Sequence, residues 1–547
     1  MKNPDLEPEM LDAFIIGAGF SGLYQLYSLR DKLGLTVKVA ETGGGVGGTW
    51  YWNRYPGARC DSESHVYCYT FSEELTNDWN WSERYPGPAE IVAYLNHVAD
   101  RFDLNRSIEF NTRVTDAHFD ENAKCWNIEA ENGQHYRARF LITAVGCLSS
   151  ANVPAIEGLE DFAGEQYHTG QWPHEGVELK GKRVGQIGTG STGIQAAPVI
   201  AETAKHLTVF QRTANYSVPA RNHGLSDEDR FTHKRNASAT ASLTRSNTNG
   251  HGWLINEQQA LNTPAEDREN IYEKAWKTGG LKFRASFSDL LSSEQANATA
   301  AEFIRDKIRQ IVNDPATANS LADIDHPYAA KRPPIDTHYF ETYNKDHVEL
   351  VDLRITPISR ITSEGIVCSG LNDEGQANEK HHDVDVLIFA TGYDAITGTL
   401  LRMDIRGRNG RSLTEAWSDG ARNHLGLQVS GFPNMFTITG PGSPCVLTNM
   451  PAAIEQHVEW ITDCIDHLNK NGFTTIESPE SSAEWWVNEA NTIANKTLLP
   501  TVRHSWYLGA NIPGKPRVFM PYAGGLDKYR HICDEVAEDN YRGFLLQ

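Results

Sequence analysis

The chain reads as an α/β protein in which one strand–turn–helix–strand unit occurs twice around a mostly helical insertion. Three observations predict this. Apolar residues 13–16 (AFII) run directly into Gly17-Ala18-Gly19-Phe20-Ser21-Gly22. Val184 to Ile187 run likewise into Gly188-Thr189-Gly190-Ser191-Thr192-Gly193, each glycine 171 positions after its counterpart. Residues 222–330 are polar, carry helical apolar spacing and contain no such turn. A strand that ends in G-x-G-x-x-G and opens a helix brings backbone N–H groups against a pyrophosphate. Two Rossmann-like dinucleotide-binding domains are therefore expected.

The bulk properties bound the rest. A chain of 547 residues suggests three or four units, at roughly 150 residues each. With 39% hydrophobic and 22% charged residues it can bury several cores. No apolar run reaches the length of a membrane span. The opening MKNPDLEPEM is polar and acidic, which argues against a signal or transit peptide. Eight scattered cysteines without C-x-x-C spacing suit a reducing, cytoplasmic setting, and no metal site is expected. The net charge of −21 speaks against nucleic acid or an anionic membrane as partner. Any phosphate-bearing ligand must then meet a local group of basic residues.

In the first unit, Leu23, Leu26 and Tyr27 form a helical stripe after the turn. A second strand, Thr36 to Ala40, ends at Glu41, an acceptor for a ribose 2′-hydroxyl. In the second unit the corresponding strand, Leu207 to Gln211, ends at Arg212. A guanidinium can pair with a 2′-phosphate that a carboxylate would repel. Arg212 could also be no more than a solvated residue after a strand. The first unit is thus expected to hold FAD and the second NADPH, with hydride passing between them.

Strand patterns at 140–146 and 384–390 resemble returning strands, so the second unit is expected to interrupt the first. The expected domains are an FAD-binding part (1–150), an NADP-binding part (151–221) and the helical insertion (222–330). A second NADP-binding part (331–384) follows, then the return to the FAD domain with pocket loops (385–547). In the insertion, Thr263-Pro264-Ala265-Glu266 reads as a capping box. Ile304, Ile308, Ile311 and Val312 give a buried helical face. The insertion shows no evident chemistry and reads as a lid or packing domain.

Residues 42–61 (TGGGVGGTWYWNRYPGARCD) form a glycine- and aromatic-rich loop suited to lie against a ligand. Asp61 there could be a turn cap or a functional carboxylate. In Lys331-Arg332-Pro333-Pro334 the prolines hold the chain extended, so neighbouring side chains point apart. One could meet a phosphate while the other faces a reaction centre, and a solvated basic turn is the alternative. The loops 440–451 and 505–517 are rich in glycine, proline and aromatics, as pocket linings often are.

The segment 162–173, FAGEQYHTGQWP, joins the two units. Its Phe162, Gly164, His168, Trp172 and Pro173 match the fingerprint of the type I Baeyer–Villiger monooxygenases. A second pattern of that family is met from Gly47 to Asp61. The chain most resembles the cyclohexanone and phenylacetone monooxygenase group, through KRP, GPGSP and WYLGANIPGK. The resemblance implies an FAD- and NADPH-dependent oxidation of ketones by O2, through a peroxyflavin anion, to lactones or esters. It assigns catalysis to Arg332, with Asp61 positioning it.

It further implies FAD contacts at Gly17, Gly19, Ser21, Gly22, Glu41, Gly48, Thr49, Trp50, Asp61, Tyr67, Val114 and Met450. The NADP contacts implied are Arg59, Gly188, Thr189, Gly190, Ser191, Thr192, Gly193, Arg212, Thr213, Lys331 and Trp506. His168 reads as a backbone-bonding linker residue rather than a proton donor. The alternative is a flavin monooxygenase acting on nitrogen or sulfur, whose linker ends in an aromatic and a lysine where this chain has Trp172-Pro173. A disulfide reductase would need a redox cysteine pair, which Cys60 and Cys68 are not spaced to form.

Overall fold

The computed structural model describes residues 9–371 and 377–547. The first sheet is built from β1 (Met10–Ile16), β2 (Val37–Ala40), β3 (Ile108–Glu109), β4 (Val114–Asp120), β5 (Cys125–Ala130) and β6 (His135–Thr143). β1 lies between β2 and β6, parallel to both. Its last four residues, the AFII run, are all buried, as a parallel strand covered on both faces requires. β4 and β5 extend the sheet in antiparallel fashion from β6. The helix Phe20–Tyr27 after the first glycine turn runs on into a single π-turn at Ser28–Lys32.

The second sheet contains β7 (Glu165–His168), β8 (Arg183–Ile187) and β9 (His206–Gln211). A short pair, β10 (Val218–Pro219) and β11 (Ile335–Asp336), brackets the insertion, and β12 (Val348–Asp352) follows it. Next come the antiparallel strands β13 (Ile358–Thr362), β14 (Gly365–Leu371) and β15 (Ala377–Asp383), and then β16 (Val386–Phe389). The order is β12-β9-β8-β16-β7, parallel throughout. The two sheets repeat one plan, with β6 returning beside β1 and β16 returning beside β8.

That pairing corrects the boundary expected at 385. Residues 386–389 belong to the second sheet, and the chain rejoins the first only at β17 (Asp404–Arg406) beside β4 and β18 (Met435–Thr437) beside β6. The long helix Met450–Asn471 then packs on the helix Phe20–Tyr27.

Two further expectations change. The segment 162–173 is not a free linker: β7 within it forms the edge of the second sheet. The capping box at 263–266 is absent, since the helix Ala265–Thr278 has no side-chain cap and the Thr263 hydroxyl donates to the Gln259 carbonyl. The insertion's helix Glu294–Ile311 does bury Ile304 and Ile308. It buries them in one continuous core with Ile194, Val209 and Ile388 of the second module, so the insertion is no separate globule. No helix among the described residues is long and apolar enough to cross a membrane.

Candidate active site

Both glycine turns are dictated by close backbone approach. Gly17 and Gly188 have φ of +105° and +111°, conformations that side chains disfavour. A Cβ on either would lie 2.6 Å from the Ala144 carbonyl oxygen or 2.4 Å from that of Ala390, the residues just after β6 and β16. A Cβ on Gly22 or Gly193 would collide with the carbonyl of its own turn's first glycine, at 1.8 and 2.2 Å. The following helices, from Phe20 and Ser191, start without a side-chain cap. Their first N–H groups are therefore available to an anion.

The turns differ in what surrounds them. Gly48, with φ of +52°, brings its backbone against Gly19, and the Gly47 N–H donates to the Ala18 carbonyl at 3.1 Å. Nothing stands within 4 Å of a Cβ on Gly190. Ser21 and Thr189 are buried, and the Thr189 hydroxyl donates to the Thr213 carbonyl at 2.8 Å. Glu41 is buried and already accepts the Ala18 and Gly43 N–H groups, each at 2.7 Å. Burial pushes its carboxyl up despite those two bonds. Val114 is buried in β4 close by, where the Thr112 N–H meets the Glu41 carbonyl.

Asp61 and Arg332, 271 residues apart, form a two-pronged ion pair. Nε reaches one carboxylate oxygen at 2.5 Å and Nη2 the other at 2.9 Å. Arg332 Nη1 donates to the Val446 carbonyl at 2.5 Å and, at a longer 3.5 Å, to that of Thr448. Burial alone would raise the Asp61 carboxyl, but the Arg332 charge and hydrogen bonds outweigh it and hold the group below its ordinary value. Burial would lower Arg332, and Asp61 reverses that too. Both stay charged. Nearby, Trp50 follows Thr49 at the start of a short helix, and its indole N–H donates to the Tyr67 hydroxyl at 3.0 Å. Met450 opens the long helix just beyond Thr448.

Lys331 turns the other way from Arg332. It is half-buried, and burial together with the neighbouring Arg212 charge lowers its ammonium below the usual value, although Asp325 counters this. Arg212 itself is exposed at the end of β9 and makes no hydrogen bond or ion pair with any described residue. Arg59 is engaged by Glu83 and the Tyr85 carbonyl, while its own carbonyl accepts from Gln195 of the second module's helix. Trp506 is half-buried on a 3-10 turn against Tyr507.

In the segment 162–173, Phe162 and Trp172 are buried, and His168 is buried at the end of β7. His168 Nδ1 accepts the Gly170 N–H at 3.0 Å, and burial lowers the imidazole. Gly170 lies under Tyr393, whose hydroxyl bonds Asn53 of the first module. Tyr393 thus links the segment after β7 to the glycine-rich loop of the first module.

A family model described as flavin-binding monooxygenase-like matches residues 12–239. A Baeyer–Villiger monooxygenase of Pseudooceanicola batsensis is 41% identical over 536 residues, covering 98% of this chain and 96% of the relative. A cyclohexanone 1,2-monooxygenase of Acinetobacter sp. is 42% identical over 540 residues, with the same coverage of both. Among solved structures, an oxidised steroid monooxygenase bound to NADP superposes with a TM-score of 0.92 at 48% identity, over 98% of this chain and 99% of that one. The chain belongs to the Baeyer–Villiger monooxygenase family.

The residues of this monooxygenase fit both dinucleotides that the family uses. Each turn is a cradle that a Cβ would fill, each helix start carries N–H donors without a side-chain cap, and the second module brings Lys331 and Arg212 near each other. Sequence reasoning missed a part contributed by the insertion. Arg284, on the 3-10 turn Leu281–Ala285, lies among the groups that act on Asp61 and Arg332. Burial, reinforced by the Arg332 charge, lowers its guanidinium to about 10. His251 is buried beside it, stacked on Trp253 with ring centroids 5.0 Å apart, and the burial drives it well below its ordinary value. No motif announces either residue, because only the packing of the insertion on the second module brings them to the pair.

Proposed function

We propose that this monooxygenase converts ketones, cyclic ones among them, to lactones or esters at the Asp61–Arg332 pair. The balanced reaction consumes ketone, O2, NADPH and a proton, and yields ester, NADP+ and water. FAD, when bound, supplies the activation of O2 with electrons taken from NADPH.

The observation that carries the reading is how the Arg332 hydrogens are spent. A guanidinium has five N–H groups in a rigid fork. Two point at Asp61, one at the Val446 carbonyl and one, weakly, at Thr448. One Nη2 hydrogen and the loosely held Nη1 hydrogen remain to meet negative charge on oxygen. Stabilisation by a fixed cation of this kind costs no reorganisation during the reaction. Asp61 acts through Arg332, holding the fork at a set angle and keeping the local charge from being repelled out of the interior.

On the other module, Arg212, Lys331 and Thr213 would hold a 2′-phosphate, with Arg59 bracing the helix Ser191–Thr203 against the first module. Trp506, beside Tyr507, would cover the nicotinamide end and keep water from the reacting oxygen. The eight unpaired cysteines support a cytoplasmic placement.

The test is direct. The purified protein should be yellow, and with NADPH, air and cyclohexanone should yield ε-caprolactone. Sulfoxide from a thioether with no lactone from any ketone would instead favour oxygenation of sulfur or nitrogen.

A further inference from the structure

Arg284 is a half-buried cation that, among the described residues, no carboxylate of its own answers. Its neighbour Phe283 is fully buried against Tyr272 and Phe303, at ring centroids of 5.5 and 5.8 Å, which fixes the turn that carries it. The guanidinium has one hydrogen bond, a long one of 3.4 Å from Nη2 to the Leu447 carbonyl, and the Trp253 ring lies 5.8 Å away. Leu447 sits between Val446 and Thr448, so the two guanidiniums hang from three successive carbonyls of one loop. Asp61 is the one carboxylate among the groups acting most strongly on Arg284, and both its oxygens are taken by Arg332. Among the described residues no carboxylate pairs with Arg284.

Two other polar atoms close to this cation are equally unanswered. His251 Nε2 and the Tyr328 hydroxyl are buried and have no hydrogen-bond partner. Arg284 acts electrostatically on both. A charge drawn partly out of water without a partner is costly, as are buried donors without acceptors. One anion would remedy all three: a carboxylate accepts a guanidinium fork side-on and has lone pairs left for a hydroxyl and an imidazole N–H.

We propose that Arg284, His251 and Tyr328 form an anion subsite beside the reaction centre, and that the favoured substrates are ketones bearing a carboxylate. The inference rests on the Baeyer–Villiger reading of the Asp61–Arg332 pair and names the substrate class for it. Such a substrate is held at two points, its acid by Arg284 and its carbonyl by Arg332.

The experiment compares 4-oxocyclohexane-1-carboxylate with its methyl ester on the FAD- and NADP+-loaded enzyme at pH 8. Binding is measured by calorimetry and lactone formation by product analysis. The acid should bind more than tenfold tighter than the ester. Arg284→Met should shrink that ratio at least tenfold, and Arg284→Lys should retain part of it. Equal binding of acid and ester by the wild-type enzyme overturns the subsite whether or not any variant folds, and so does an unchanged ratio in Arg284→Met. Lactone formation without a preference for the acid would defeat the subsite alone. Arg284-dependent binding of the acid without any lactone would defeat the Baeyer–Villiger reading alone.

Discussion

The two dinucleotide modules share one backbone turn and part company at the side chain that closes the second strand. In each, a glycine in the left-handed region lets the turn pass under the carbonyl of the residue that follows the returning strand, Ala144 in one and Ala390 in the other. In each, a third glycine makes room for the carbonyl of the first. The residue that closes the second strand is a buried carboxylate locked by two backbone N–H groups in the first module. In the second it is an exposed guanidinium facing a lysine. The backbone provides a place for any pyrophosphate, and on the function proposed above the side chain that closes the second strand would choose the dinucleotide. Lys331 and Arg332 repeat the contrast at closer range, since these adjacent residues meet different neighbours, Arg212 for the lysine and Asp61 for the arginine.

The comparison can be broken or sharpened by substitution. The largest effect is expected at Arg332. Arg332→Ala should cut ester formation by about a thousandfold while NADPH still reduces the flavin, whereas Lys331→Ala should chiefly raise KM for NADPH. Stopped-flow flavin reduction beside product analysis separates the two, and wild-type ester yield from Arg332→Ala would remove its role. Gly22→Ala comes next. Its Cβ would sit 1.8 Å from a carbonyl oxygen, an overlap expected to cost about 1–3 kcal/mol or more and to release FAD. Flavin content after gel filtration and a melting curve are the measurements.

Arg212→Ala should lower kcat/KM for NADPH by about tenfold to a hundredfold, the value of one or two charge-assisted hydrogen bonds. The constant for NADH should barely move, and an unchanged NADPH-to-NADH ratio would detach Arg212 from the 2′-phosphate. The smallest structural effect belongs to Gly190→Ala. With no atom within 4 Å of the added Cβ, its melting temperature should match the wild type, in contrast to Gly22→Ala. Equal destabilisation by both would show that the middle and third glycines do not play separate parts.

Much of this was legible in the sequence because it is local. A strand–turn–helix unit is specified within about a dozen residues, so both modules and their glycines could be placed without knowing the rest. The prolines at 333 and 334 likewise forced Lys331 and Arg332 apart, and the structure sends them to different neighbours. The strand 386–389 could not be assigned to its sheet, since an apolar run pairs equally well with either module until the register with β7 and β8 is known. The same holds for 162–173, which reads as a linker until β16 gives it an edge to pair with. At 263–266 the pattern of a capping box was present, but the Thr263 hydroxyl found a nearer acceptor in the preceding turn.

The sequence by itself determined the two modules, the acid-to-base exchange between Glu41 and Arg212, and the candidacy of Asp61 and Arg332. Short-range sterics and charge suffice for those. Tertiary structure alone decided that Asp61 and Arg332 meet, that the insertion shares the second module's core, and that Arg284 and His251 arrive beside the pair. Those contacts join segments far apart along the chain, and they exist only because burying apolar faces together outweighs the entropy of ordering the chain between them.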